Sequence, residues 1–171
     1  EALSFADRVA VMRGGQIEQI GTPEDVYYRP RTLFVAQFLG RTNLLLSDAA
    51  GTEADTAIGR IRLDRPSSGT VLVSLRPEHL TLEPPESDAG PRGTVVGRAF
   101  KGHDITYRVE CDGAEYLVHT HNRMSYEPGD PVCIRPQEAA VVLESRTHPA
   151  DVPGGMTEAA PDPEAAAAES A

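Results

Sequence analysis

Five side chains in one half of this 171-residue sequence have the chemistry of metal ligands: His103, Cys111, His119, His121 and Cys133. His119 and His121 stand two apart, so on an extended strand they share a face. A transition-metal site needs three or four such donors converging on one point. The sequence has neither a Cys-x-x-Cys pair nor two histidines at helical spacing. The expectation is therefore a polar strand face, with no metal and no cofactor held by this chain. The same half supplies His103, Asp104 and His119 as acid–base groups for a small free-standing enzyme, but residue order does not say which groups would meet.

Two further constellations bear on phosphate chemistry and on contacts. The basic residues are fifteen arginines and one lysine, Lys101, which follows Phe100 and precedes Gly102. A phosphate-cradling G-x-x-x-x-G-K-[ST] loop needs a lysine between glycine and a hydroxyl residue, so this sequence contains no such loop. Phe100-Lys101-Gly102-His103-Asp104 reads as an ordinary connection between strands. Arg76-Pro77-Glu78-His79 falls where a strand gives way to a turn. Arg76, Pro77 and Glu78 are the candidate regulatory contact, a charged patch meeting a neighbouring domain. The plainer alternative is a solvent-facing turn whose Arg76 and Glu78 pair for about 0–1 kcal/mol.

The elements that position these residues follow from pattern. Val9–Met12 and Gln16–Ile20 flank Gly14-Gly15 and read as a hairpin. Met12-Arg13-Gly14-Gly15-Gln16 imitates a Leu-Ser-Gly-Gly-Gln nucleotide signature, but Arg13 replaces the serine and both flanks are strand-like, so it is a turn. Thr22-Pro23-Glu24-Asp25 has the residues of a helix start, giving a short helix through Tyr28 that ends before Pro30. Leu33, Phe34 and Phe38, with Val35 as a further candidate, make an apolar stripe at helical spacing that stops at Gly40. Beyond residue 43, alternating runs predict strands near 44–47, 57–63, 70–76, 93–100, 104–111, 115–120, 131–135 and 139–144. Asp112-Gly113 is the clearest hairpin turn among them. Ser67-Ser68-Gly69 and Pro84 to Pro91 read as loop insertions. The fold class is mainly β, an OB-like barrel preceded by a β-hairpin and two short helices.

Composition narrows the function classes. The net charge is -10 with 26 acidic side chains, which disfavours a phosphate backbone as partner. An oligonucleotide-binding barrel would also want stacking aromatics, and aromatics are only 5%. Two cysteines are too few for a disulfide framework. No apolar window approaches the ~18 residues of a membrane span. The chain opens at Glu1 with no signal segment, which suggests a piece of a longer polypeptide. From Arg146 onward the sequence is Ala, Pro, Gly and acid, with one arginine against Asp151, Glu158, Asp162, Glu164 and Glu169. It reads as a disordered tail.

The run EALSFADRVAVMRGGQIEQIGTPEDVYYRPRTLFVAQFLGRTN, residues 1–43, closely resembles the end of the nucleotide-binding domain in ATP-binding subunits of ABC importers. Within these it is most similar to the iron(III) and spermidine/putrescine group. LVSLRPEHLTL, GTVVGRAFKGHDITYRVECDG and EPGDPVCIRP are similar to the transport-associated OB (TOBE) domain those subunits carry. The resemblance implies three parts: residues 1–42 from the nucleotide-binding domain, 43–145 as the barrel, and 146–171 as the tail. It implies that the P-loop, signature motif, catalytic glutamate and switch histidine precede Glu1, so no catalytic residue is assigned here. Mg-ATP is implied for the full-length subunit only. The implied partners are the upstream nucleotide-binding domain, a second copy of the subunit and membrane permease subunits, with no nucleic acid. The implied location is the cytoplasmic face of the cell membrane. Solute would be iron(III) or a polyamine, and residues 1–40 would be less stable alone than the barrel.

Overall fold

Gly14 and Gly15 both hold positive φ, 56° and 76°, the sign a type I′ turn requires at its two central positions. They join β1 (Val9–Arg13) to β2 (Gln16–Gly21) as an antiparallel hairpin. In this computed structural model residues 6–85, 90–121 and 125–144 are described. Helix α1 (Pro23–Tyr28) starts where Thr22 Oγ1 accepts from Asp25 N at 3.1 Å, and α2 (Leu33–Phe38) where Thr32 Oγ1 accepts from Val35 N at 3.3 Å. Each cap satisfies one amide that a helix start leaves unpaired. Val11, Val26 and Val35 meet in a small core between hairpin and helices. Gln19 is buried too, and its carboxamide donates to Arg29 O at 3.0 Å and accepts from Arg31 N at 2.9 Å. That pair of bonds pins the link between the helices to the hairpin.

The barrel begins with a hairpin longer than the sequence pattern predicts. Strands β3 (Asn43–Thr56) and β4 (Gly59–Leu75) replace the three short strands expected near 44–47, 57–63 and 70–76. Ser67-Ser68-Gly69 is not a loop insertion. It lies in β4 opposite Gly51, Ala50 and Ala49, because the partner strand's ladder outweighs the weak β propensity of those residues. Register jumps from Gly51–Ser67 to Glu53–Arg62, and of the residues left between, Leu63 and Asp64 turn to a different partner. Leu63 bridges Ala140, Asp64 N donates to Ala140 O, and Ala140 N donates to Arg62 O.

A 3-10 turn (Pro77–His79) leads into β5 (Leu80–Glu83), a short strand the alternation did not reveal. It is followed by β6 (Arg92–Lys101), β7 (Asp104–Cys111), β8 (Ala114–Thr120) and β9 (Pro131–Pro136). These five form one sheet in the order β5-β9-β6-β7-β8, while β10 (Val141–Val142) joins the long hairpin as β10-β4-β3. The strand expected at 139–144 is thus confined to two residues. Both sheets feed one apolar core that includes Leu45, Val73, Leu75, Val95, Tyr107 and Val132.

The seam between the sheets is closed by a side chain. Asn43 is 1% exposed, donates to Leu117 O at 2.8 Å and accepts from Leu117 N at 2.8 Å. Its amide thereby substitutes for a backbone partner along β8, an edge strand of the five-stranded sheet. The architecture is mainly β and OB-like, with a hairpin and two short helices ahead of it. Among the described residues no helix is long and apolar enough to cross a membrane. Part of the Pro84–Pro91 connection and the tail expected from residue 146 lie outside the described residues.

Candidate functional site: a buried arginine joining helices to barrel

Strand β4 ends at Leu75, and the next side chain turns back under the helices. Arg76 is 3% exposed. Its Nη1 donates to Ala36 O at 3.0 Å, Gly40 O at 3.1 Å and Arg41 O at 3.0 Å, carbonyls at and just after the C-terminus of α2. Its Nε and Nη2 donate to Tyr27 O on α1 at 3.2 and 2.9 Å. The guanidinium also lies over the Tyr27 ring, 4.1 Å from the centroid. Unpaired carbonyls at a helix end carry partial negative charge, and the five-donor planar fork of arginine suits several of them at once. Among the described residues no carboxylate forms an ion pair with Arg76. The solvent-facing turn with a weak Arg76–Glu78 pair is therefore not what the chain adopts.

Glu78 serves the same joint from the other side, its Oε1 accepting from Tyr27 Oη at 2.9 Å. Pro77 is buried and opens the 3-10 turn, while His79 stacks on Tyr28 with centroids 5.1 Å apart. Burial, then the Glu78 carboxylate and its hydrogen bond, push the Tyr27 phenol up to about 12. Burial also lowers the Arg76 pKa, opposed by Tyr27 and Glu78. Gly40 holds φ 146° with Arg76 Nη1 3.9 Å from where a Cβ would sit. Thr42 Oγ1 to Ser74 Oγ at 2.6 Å and Glu144 N to Arg31 O at 2.7 Å add two more ties between the segments.

Of the candidate metal ligands, the fold gathers His103, His119 and His121 around Asp104 and leaves both cysteines at a distance. Cys111 stands at the opposite end of β7 from Asp104. Cys111 and Cys133 are buried free thiols, and burial pushes Cys111 up. Sequence reading missed Tyr27, Gln19 and Asn43. In β2 the only available hint was reversed, since Gln19 is buried while Ile17 and Ile20 are 56% and 45% exposed.

Residues 73–143, from the end of β4 through Leu143, match the model of the TOBE domain family. The chain carries a TOBE domain. Arg76, Pro77 and Glu78 fall at the start of that TOBE domain, and the helices they hold lie ahead of it. The chain is also similar to an Fe(3+) ions import ATP-binding protein of Pectobacterium atrosepticum, 43% identical over 118 residues, 67% of this chain and 34% of that protein. A counterpart from Serratia marcescens is 41% identical over 139 residues, covering 78% and 40%. A spermidine/putrescine import ATP-binding protein of Pseudomonas aeruginosa is 35% identical over 161 residues, covering 84% and 43%. The chain thus spans well under half the length of the curated relatives it matches. A free-standing enzyme built on His103, Asp104 and His119 finds no support in these likenesses, although the three side chains do come together.

Proposed function

We propose that this chain is the C-terminal regulatory region of the ATP-binding subunit of an ABC importer for iron(III) or a polyamine. In this reading residues 1–42 complete a nucleotide-binding domain, 43–145 are the TOBE barrel and 146–171 an acidic Ala/Pro-rich tail. Mg-ATP binds the full-length subunit, whose partners are a second copy of itself and permease subunits at the cytoplasmic face of the membrane. The observation that carries the reading is the Arg76 guanidinium, which binds carbonyls of both helices at once. A displacement of α1 and α2 during the nucleotide cycle reaches the barrel chiefly through that side chain, with the Tyr27–Glu78 and Tyr28–His79 contacts beside it. Met12, Ile17 and Phe38, exposed by 55%, 56% and 62%, support a further apolar partner for the hairpin and α2, which the nucleotide-binding domain would supply.

The test uses the full-length subunit assembled with its permease, with Arg76→Ala and Arg76→Lys. Lysine keeps the charge but loses the fork. The expected result is that both variants bind ATP like the parent while solute moved per ATP hydrolysed falls severalfold. Parental transport and ATPase rates in both variants would remove the coupling role from Arg76, Pro77 and Glu78.

A further inference from the structure

The turn between β6 and β7 is two residues long, Gly102 and His103, because Lys101 lies opposite Asp104 in the ladder. It places His103 Nε2 3.1 Å from Asp104 Oδ2. From the neighbouring strand β8, His119 Nε2 comes within 3.6 Å of the same oxygen, and His121 Nδ1, just past the strand end, abuts Oδ1. Three imidazoles thus surround one carboxylate. Hydrogen bonding among them does not account for the arrangement, since the buried Asp104 Oδ1 and His119 Nε2 meet ion-pair partners but make no aligned hydrogen bond. Buried polar atoms without an aligned hydrogen bond are uncommon and call for an explanation.

The spacing suggests one. Donors at 2.0–2.2 Å from a tetrahedral ion lie about 3.3 Å from one another, and the two distances to Asp104 Oδ2 bracket that value. The rings themselves are too far apart. His103 and His121 have centroids 6.5 Å apart, and His119 and His121 6.3 Å, whereas two imidazoles on one tetrahedral ion need about 5 Å. Accordingly, among the described residues no group of three is already arranged to hold an ion. The cluster divides into a fixed half and a movable half. The side chains of Asp104 and His119 are 18% and 34% exposed, those of His103 and His121 86% and 81%.

We propose that Asp104 and His119 form the seat of a divalent transition-metal site that His103 and His121 complete by swinging inward. Imidazole and carboxylate donors suit Zn²⁺ and its neighbours. The ion binds between the Asp104 carboxylate and His119 Nε2, replacing contacts that are not aligned as hydrogen bonds. Ordering two exposed side chains, with the Lys101 cation directly across the ladder from Asp104, holds affinity to the micromolar range rather than that of a closed structural site.

The 171-residue chain is titrated with Zn²⁺ by calorimetry and with Co²⁺ by visible absorption. The expected result is one ion per chain, with Co²⁺ d–d bands and no thiolate charge-transfer band. His103→Ala with His121→Ala alters only exposed side chains, so the fold is retained by circular dichroism while binding weakens roughly tenfold or more. Asp104→Asn weakens it as well. Dissociation constants above about 1 mM for the parent, parental affinity in the double variant, or a thiolate band pointing to Cys111 or Cys133 would each overturn the site.

Discussion

The segment ahead of residue 43 and the barrel after it hold themselves together by different means. Among the described residues the barrel has a core of twenty buried side chains drawn from both of its sheets. The segment has three buried valines, with Phe34 and Leu39 only partly covered. What replaces apolar area there is polar and specific: two threonine caps, the Gln19 carboxamide and the Arg76 guanidinium, each satisfying backbone groups. Such bonds contribute about 1 kcal/mol each when neutral and more when charged. A lost core contact in the barrel costs several times that. The barrel is therefore the cooperative unit, and the segment is tethered to it.

The largest effect that separates the two regions is expected from Tyr107→Ala. Tyr107 is fully buried and its Oη accepts from Tyr126 N at 3.2 Å. Truncation costs about 4 kcal/mol, and denaturant unfolding followed in both regions should shift to lower midpoint together. A segment that kept its parental midpoint would show that it does not depend on the barrel.

Next come the two amides that imitate backbone. Asn43→Ala leaves the buried N–H and C=O of Leu117 unpaired and is expected to cost about 2–3 kcal/mol, with faster hydrogen exchange along β8. Gln19→Ala is expected to cost about 1–2 kcal/mol, with faster exchange confined to the segment, chiefly at Arg31 N. Equal loss of protection across the barrel in Gln19→Ala would erase the distinction between tether and core.

The smallest effect concerns alkaline pH and samples one phenol in each region. Tyr27 in the joint and Tyr116 in the barrel are both raised from 10.0 to about 12, chiefly by burial. A raised folded-state pKa means folding favours the neutral phenol, so its contribution is fully present below about pH 10 and is lost as pH rises through about 12. Tyr27 is half-buried and Tyr116 is buried, so solvent screens the effect more at Tyr27. Stability measured between about pH 10 and 12 should fall less steeply in Tyr27→Phe and in Tyr116→Phe than in the parent. Unchanged slopes in both would mean that neither phenol is held neutral by the fold.

Local chemistry was legible wherever the deciding residues are close in sequence. Gly14-Gly15 and Asp112-Gly113 both adopt the positive φ their hairpins need, Asp112 at 52° and Gly113 at 76°. Thr22 caps the helix it was expected to cap. β3 and β4 were less legible because their ladder partners lie up to 32 residues apart, as Asn43 and Leu75 do, and pairing rescued residues whose own preferences favour a turn. The placement of Arg76 had no local signal, since an arginine before proline at a strand end is ordinarily solvated and only α1 and α2, some 35 to 49 residues earlier, bury it.

The sequence by itself determined the turns, the helix starts, the strand alternation between residues 93 and 135 and the absence of a phosphate loop, because each depends on side chains within a few residues of one another. Only the tertiary structure decided that Asn43 closes the barrel against Leu117, that Arg76 fastens both helices, and that three histidines converge on Asp104. Those outcomes rest on strand register and on which faces are covered, and both are set by the whole chain's competition to bury apolar surface while leaving few backbone groups unpaired.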